Sequence, residues 1–376
     1  MLIDATAVPV DRGGVGRYVD ALVTALAADG ARISVACQIR DEERYAAMAP
    51  GAGVVTATES ALARTARLAW EQTTLPVLAR RLAADVVHSP HYTLPLANRA
   101  ASVVTLHDAT FFTAPEVHAP IKTRFFRSWS RLALRRAGRC IVPSAATAGE
   151  LAAVAKMNHD RVDIVPHGVD PGGFYVPLPE QVREARRAIG LADSPGDERY
   201  VAFLGPLEPR KNVPALVRGF ARAVRERAEP PTLVLAGRDG WDGEVDRALD
   251  EVPPGVRVIR TGYLPYELLA GFLGGAELVA YPSLGEGFGL PVLEAMACGA
   301  CVLTTRRLAL PEVGGDCVAY CAVDPDGIAR ALVELLDDPH RRTALGAAAQ
   351  LRAKEFSWSV SADGHRASYD RAWWGE

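Results

Sequence analysis

Tyr200-Val201-Ala202-Phe203-Leu204 runs into Gly205-Pro206-Leu207-Glu208-Pro209-Arg210-Lys211-Asn212, then into Val213–Arg227, and then into Thr232-Leu233-Val234-Leu235-Ala236. The two short, almost wholly apolar runs read as buried strands, and the longer stretch between them has helical spacing. A strand, a helix and a strand in that order place the two strands parallel, joined by a crossover helix.

The same rhythm extends in both directions. Downstream, strands are predicted at Val256–Thr261, Leu278–Tyr281, Cys301–Thr304 and Cys317–Cys321. Helices are predicted at Val245–Asp250, Pro265–Gly274, Leu290–Ala297, Pro325–Leu336 and Arg341–Phe356. Upstream, Leu2-Ile3-Asp4-Ala5, Ile33–Cys37, Asp85–His88, Ser102–Leu106, Arg139–Val142 and Val162–Val165 read as strands. Val19–Ala28, Leu75–Leu82 and Ala146–Ala155 read as helices. The turn-rich stretch from Pro166 to Pro179 separates the two series. The chain is therefore expected to form two Rossmann-like domains with doubly wound parallel sheets, residues 1–173 and 174–356. Trp358, Tyr369, Trp373 and Trp374 in the terminal segment argue that residues 357–376 dock, with the first domain as the expected partner.

The 376 residues are 49% hydrophobic, enough for two large cores. The formal net charge is −3, so no strong field favours nucleic acid over small ligands. Lys and Arg outnumber Asp and Glu by 19 to 16 in residues 1–173, and are outnumbered 29 to 23 in the remainder. No basic leader precedes the first strand and no window approaches 18 apolar residues, so a cytoplasmic protein with reduced cysteines is expected. Cys298, Cys301, Cys317 and Cys321 are spaced like a zinc array, but each falls in or beside an apolar run, where a buried thiol is the plainer reading.

Four motifs lie where strands of such sheets end, the place where open α/β sheets bind ligands. Gly13-Gly14-Val15-Gly16-Arg17-Tyr18 opens a helix, and its glycines would let a ligand approach the backbone. His107-Asp108 closes an apolar strand. Arg210-Lys211 places two cations beside a helix start, which suits a diphosphate. In Glu286-Gly287-Phe288-Gly289-Leu290-Pro291-Val292-Leu293-Glu294, two acids flank a glycine turn and a helix N-terminus. Amides there bind phosphate, and carboxylates accept hydrogen bonds from sugar hydroxyls. The plain alternatives are a tight turn, a satisfied histidine, two solvated cations and a capping acid. Residues 121–139 add seven Lys/Arg and no acid, with Arg124, Arg127, Arg131 and Arg135 on one helical face and Phe125, Trp129 and Leu132 on another. Such a helix suits either an anionic membrane surface or simple packing on the core.

Together these motifs resemble the retaining glycosyltransferases of family four, which have the GT-B fold, and within them the branch of bacterial polysaccharide mannosyltransferases. Trp70-Glu71-Gln72, Asp85-Val86-Val87-His88-Ser89-Pro90, Pro166-His167-Gly168-Val169-Asp170, Gly240-Trp241 and Leu310-Pro311-Glu312-Val313 belong to the same pattern, which covers essentially the whole chain. The resemblance implies two domains facing across a cleft, with a C-terminal helix crossing back to the first. It implies that Glu294 holds the donor's ribose, Glu286 contacts the donor sugar, and the segment Gly287, Phe288, Gly289 and Leu290 contacts sugar and phosphate. Lys211 would bind the diphosphate, Gly14 would admit the donor, His107 would lie beside the reacting sugar, and Tyr263 and Leu264 would border the base. Pro206 stands where many members carry Arg, so Arg210 is the candidate to supply that charge; His167 stands where Asn is common.

The implied reaction retains configuration, uses no protein nucleophile and needs no cofactor and no metal. GDP-mannose is the donor suggested, with UDP-, dTDP- and other GDP-sugars open. A glycan or lipid-linked acceptor is expected. A glycosyl phosphorylase, a sugar-nucleotide epimerase and a non-catalytic partner subunit are the alternatives.

Overall fold

The computed structural model describes residues 1–10, 12–57, 64–115, 118–155, 157–191 and 199–375. It divides into two compact units, Met1–Gly168 with Ser357–Glu376, and Val169–Phe356.

The first unit holds a seven-stranded sheet of β1 (Leu2–Asp4), β2 (Ser34–Gln38), β3 (Gly53–Ala57), β4 (Val86–Ser89), β5 (Ala101–Thr105), β6 (Arg139–Val142) and β7 (Val162–Ile164). All pairings are parallel, in the order β3-β2-β1-β4-β5-β6-β7. The order reverses at β1 and β4, the topological switch point where such sheets take ligands. The sequence reading missed β3, an edge strand whose Gly-Val-Val-Thr side chains are only partly buried, so it carries no continuous apolar signature. It also missed the first half of the Arg64–Arg81 helix. Pro76 lies inside that helix, where proline ordinarily signals an end.

The second unit holds β8 (Tyr200–Leu204), β9 (Thr232–Ala236), β10 (Val258–Gly262), β11 (Leu278–Tyr281), β12 (Val302–Thr305) and β13 (Ala319–Cys321). Its order is β10-β9-β8-β11-β12-β13, again all parallel. β8, β9, β11 and β12 are buried on both faces almost throughout, as crossover helices on both sides require. One continuous apolar core runs from Phe174 to Ala353.

The expected boundary after residue 173 moves to Gly168. The Val169 amide donates to the Phe356 carbonyl at 2.9 Å, and the Tyr266 hydroxyl donates to Asp170 at 2.8 Å, so residues 169–173 are bonded into the second unit.

The terminal segment forms a helix, Trp358–Trp374, capped by the Ser357 hydroxyl accepting from the Val360 amide. Residue 376 of the expected segment lies outside the described residues. Ser361, Ala362, His365, Ser368, Tyr369 and Ala372 recur at helical spacing and form its buried face, packed in the first unit on β5, β6 and the Gly13–Ala28 helix. Ser368 donates to Asp163 at 2.7 Å, and Asp163 also pairs with Arg139 and Arg371. Of the four aromatics expected to dock, Trp358 and Tyr369 do so. Trp373 and Trp374 fall on the outward arc and stay exposed, in contact with each other with their rings tilted by 42°.

Candidate functional site

Two clusters, one in each unit, hold several of the residues singled out from the sequence, with Glu286, Lys211 and Arg210 in one and His107 in the other. In the second unit, β8 and β11 are neighbours in the middle of the sheet, and the loops at their carboxyl ends meet. After β8, a short 3-10 turn, Pro209–Lys211, ends at Asn212, whose backbone is left-handed at φ 59°. Asparagine tolerates that conformation, and its side-chain amide donates to the Pro282 and Val323 carbonyls at 3.2 and 2.8 Å. This bends Lys211 inward, where it is 5% exposed. The loop after β11 is pinned in turn. Thr304 and Thr305 hydroxyls donate to the Tyr281 and Ser283 carbonyls, and the Leu284 amide donates to the Arg210 carbonyl.

Glu286 sits at the junction. Its Oε1 accepts from Lys211 Nζ at 2.7 Å, from Ser283 Oγ at 2.8 Å and from the Tyr281 hydroxyl at 2.9 Å. Its Oε2 pairs with Arg210, which also donates to the Gly285 carbonyl. Lys211 is also bonded to the Tyr281 hydroxyl. Burial pushes the Glu286 carboxyl up, but the Arg210 and Lys211 charges outweigh it and hold the group at about 2. Burial and then the Arg210 charge pull Lys211 below its ordinary value, with Glu286 opposing. Burial and Glu286 raise the Tyr281 phenol.

Gly289, at φ 105°, turns the chain into the Leu290–Ala297 helix, with Pro291 in its first turn. A side chain there would be strained and would press on Leu310, so the Leu310–Gly314 helix of the Leu-Pro-Glu-Val motif braces this turn. The Phe288 ring is buried and meets Phe356 edge-on. Glu294 lies on the buried face of the helix, 3% exposed. Tyr263 and Leu264 follow β10; Tyr263 is 72% exposed and Leu264 is packed in the core.

Tyr281 and Ser283 are members of this cluster that sequence reasoning did not single out. Their signal was weak, a hydroxyl at a strand end and another three residues before an acid.

In the first unit, His107 follows β5. Its Nε2 lies 2.8 Å from the Pro90 carbonyl, which can only accept, so the proton is on Nε2 and Nδ1 carries the lone pair. Burial is the main cause lowering its pKa, so the neutral ring is favoured. Tyr18 meets the His107 ring edge-to-face at 4.9 Å, and His167 lies 5.8 Å away. His91 stacks on Phe126, and burial pulls its pKa down to about 3. Gly14 lies in the first turn of the Gly13–Ala28 helix, and a Cβ built there would meet nothing within 4 Å, so packing in this unit does not require glycine.

Among the described residues, no group of three or more His, Cys, Asp or Glu could hold a metal ion. Cys298 and Cys321 are free thiols pushed up to about 12 by burial. Also among them, no helix is long and apolar enough to cross a membrane. In the Pro120–Arg136 helix, Arg127 does not share the solvent-facing row read from the sequence. It donates to the Phe111 carbonyl at 2.6 Å and also reaches that of Phe112. The exposed face carries Lys122, Arg124, Arg131, Arg135 and Arg136, with Ile121 84% exposed.

The family model described as Glycosyltransferase Family 4 matches residues 12–172, and that described as Glycosyl transferases group 1 matches residues 187–352. The O-antigen chain mannosyltransferase B of Escherichia coli is 32% identical over 278 residues, covering 73% of this chain and 71% of the relative. The D-inositol 3-phosphate glycosyltransferase of Segniliparus rotundus is 32% identical over 240 residues, 62% of this chain; the match spans 52% of that relative's length. The solved structure of a sucrose-phosphate synthase from Thermosynechococcus elongatus shares the fold, with a TM-score of 0.77, 20% identity and 98% of each chain covered.

Proposed function

This chain belongs to glycosyltransferase family 4, and from that premise we propose that it is a retaining hexosyltransferase. It moves a sugar from a nucleotide donor to a glycan, glycolipid or lipid-linked acceptor in cell-envelope polysaccharide synthesis. Mannose from GDP-mannose is the leading donor, supported by the likeness to an O-antigen mannosyltransferase; other GDP-sugars and UDP- or dTDP-sugars are the alternatives.

The observation that carries this reading is the buried Lys211–Glu286–Arg210 constellation at the carboxyl ends of β8 and β11. Lys211 and Arg210 supply two positive charges where a leaving diphosphate would gather negative charge, and prepositioned charge of this kind lowers a barrier without reorganisation. Arg210 then stands in for the arginine absent at Pro206. Glu286, held at about 2, stays ionised and accepts hydrogen bonds from the sugar's hydroxyls. With both oxygens already engaged by cations and hydroxyls it is a poor nucleophile. That favours departure of the diphosphate and attack of the acceptor on the same face. The Nδ1 lone pair of His107 accepts from a hydroxyl of the reacting sugar. Glu294 takes the ribose, the 287–290 segment the sugar and phosphate, Tyr263 and the Leu264 backbone the base, and Gly14 gives the donor access. The fold is GT-B, with residues 1–168 serving the acceptor and 169–356 the donor. We also propose a cytoplasmic location, peripheral on an anionic membrane through the exposed basic face of the Pro120–Arg136 helix.

A panel of nucleotide sugars assayed for thermal shift and transfer tests the reading. Glu294→Ala is expected to weaken donor binding, and Glu286→Ala or Lys211→Ala to lower turnover. Full activity in all three refutes the roles, and phosphate accepted in place of the acceptor identifies a phosphorylase instead. Transfer is expected to persist in EDTA. Charge reversal of Arg124 and Arg131 together is expected to abolish binding to anionic liposomes; unchanged binding removes the membrane assignment.

A further inference from the structure

We infer that His365, contributed by the C-terminal helix, is a positioning residue for His107 and acts through Tyr18. Its kinetic consequence rests on the transfer reaction proposed above.

The chemistry of each donor and acceptor fixes one direction for a buried chain of hydrogen bonds. The Ser361 carbonyl can only accept, and His365 Nδ1 lies 2.7 Å from it, so Nδ1 carries the proton. In the neutral ring Nε2 then holds a lone pair. Nε2 is 2.7 Å from the Tyr18 hydroxyl, so Tyr18 donates to it. Its one proton spent, Tyr18 accepts from Thr105 Oγ1 at 2.9 Å. Thr105 has now donated, so it accepts from His88 Nε2 at 2.8 Å. His88 Nδ1 is left to accept from Tyr369 at 2.9 Å. The five side chains of this chain are at most 2% exposed. Burial, as the main cause, holds His365 at about 4, so it is neutral at pH 7 and the direction is maintained.

The consequence for His107 follows from how that ring is held. Its Nε2–H bond to the Pro90 carbonyl fixes one edge of the ring, and the rings of Tyr18, His167, Tyr92 and His91 pack around the rest, with centroids 4.9, 5.8, 6.1 and 6.5 Å away. Tyr18 is the nearest of these, edge-to-face with 83° between planes, so a shift of its ring moves the contact that most closely sets the aim of Nδ1. Tyr18 is itself aimed by Thr105 and His365. Without an acceptor at position 365, the buried Tyr18 hydroxyl loses the partner that sets its direction and the ring must shift to find another. The alternative is that the chain merely fastens the helix to β4 and β5.

Four variants separate the two: His365→Leu, which removes the acceptor; His365→Gln, which keeps a side-chain oxygen; Tyr18→Phe, which preserves the ring; and the double variant Tyr18→Phe/His365→Leu. Turnover, donor KM, melting and the imidazole nitrogen shifts of 15N-histidine-labelled protein are measured on each. His365→Leu and Tyr18→Phe are each expected to lower kcat roughly tenfold to a hundredfold, with donor KM changed less than about twofold. The double variant is expected to be no slower than the worse single one, His365→Gln to recover most of kcat, and the His107 shifts to move in both single variants. Wild-type kcat in folded His365→Leu or in Tyr18→Phe, losses that multiply in the double variant, or unmoved His107 shifts overturns the inference. If the wild-type protein transfers no sugar, the proposed reaction fails, while the His107 shifts still decide the positioning role.

Discussion

Replacing Glu286 by Gln removes one charge and almost no volume, so its effect can be worked from the surrounding atoms. The carboxyl is held at about 2, against an ordinary value of 4.5. That difference favours the ionised group by about 3 kcal/mol, at about 1.4 kcal/mol per pKa unit. The sign is that of a depressed acid: this stability is present above pH 4.5 and is lost as the pH falls through 2. In Glu286→Gln, Lys211 is left buried beside Tyr281 with no carboxylate. Breaking a buried pair from one side costs about 3–5 kcal/mol. In Lys211→Met, Glu286 keeps Arg210, Ser283 and Tyr281, so the loss is expected to be smaller. In the double variant neither charge is orphaned by the other. Its loss is therefore expected to fall short of the sum of the singles by about 1–3 kcal/mol. Thermal unfolding of the second unit is the assay. At about 2–4 °C per kcal/mol for a unit of this size, Glu286→Gln should melt roughly 6–20 °C lower. Losses that simply add, or an unchanged melting point in Glu286→Gln, would refute the view that this pair is coupled and buried.

Two further outcomes are expected. Gly14→Ala should leave the melting point of the first unit unchanged or slightly raised, since alanine favours a helix and a Cβ there meets nothing, yet should raise donor KM; an unchanged KM removes Gly14 from the donor site. His365 contributes stability through its lowered pKa, present above about pH 6.5 and lost as the pH falls towards 4, about 2 kcal/mol of it by pH 5. Hydrogen exchange of residues 358–374 between pH 7.5 and 5 reads that loss, and His365→Gln should flatten the pH dependence by one proton's worth, whereas an equal slope in both proteins contradicts it.

What could be read from the sequence follows how locally each feature is encoded. β8, β9 and β11 were placed to the residue because strands buried on both faces are continuous apolar runs with polar turns at each end. β3 escaped because an edge strand need not be apolar. Arg210, Lys211 and Glu286 were legible as charges in strand-end loops, and their sites follow from the parallel topology. That the Tyr281 hydroxyl would serve both Lys211 and Glu286 was not legible. It depends on β11 lying beside β8 in register, Leu278 opposite Val201, which sequence spacing does not state.

The C-terminal helix marks the limit of such reading more sharply. Its buried residues recur at helical spacing, so an amphipathic helix could be expected and its docking argued from aromatic content. Two of the four aromatics that argue for docking, Trp373 and Trp374, are exposed, because the buried arc is set by Ser361, His365, Ser368 and Tyr369 instead. Two of these four side chains enter the chain through His88, Thr105 and Tyr18. A polar face is buried at low cost when its groups find partners, as His365, Ser368 and Tyr369 do here. Tyr18 and His365, separated by 347 positions, therefore constrain each other more tightly than their neighbours in sequence do. Polar residues on the inner arc of a terminal helix thus specify where the helix docks with more precision than its large apolar ones. The same demand for partners is what ties the helix to the ring that packs on His107.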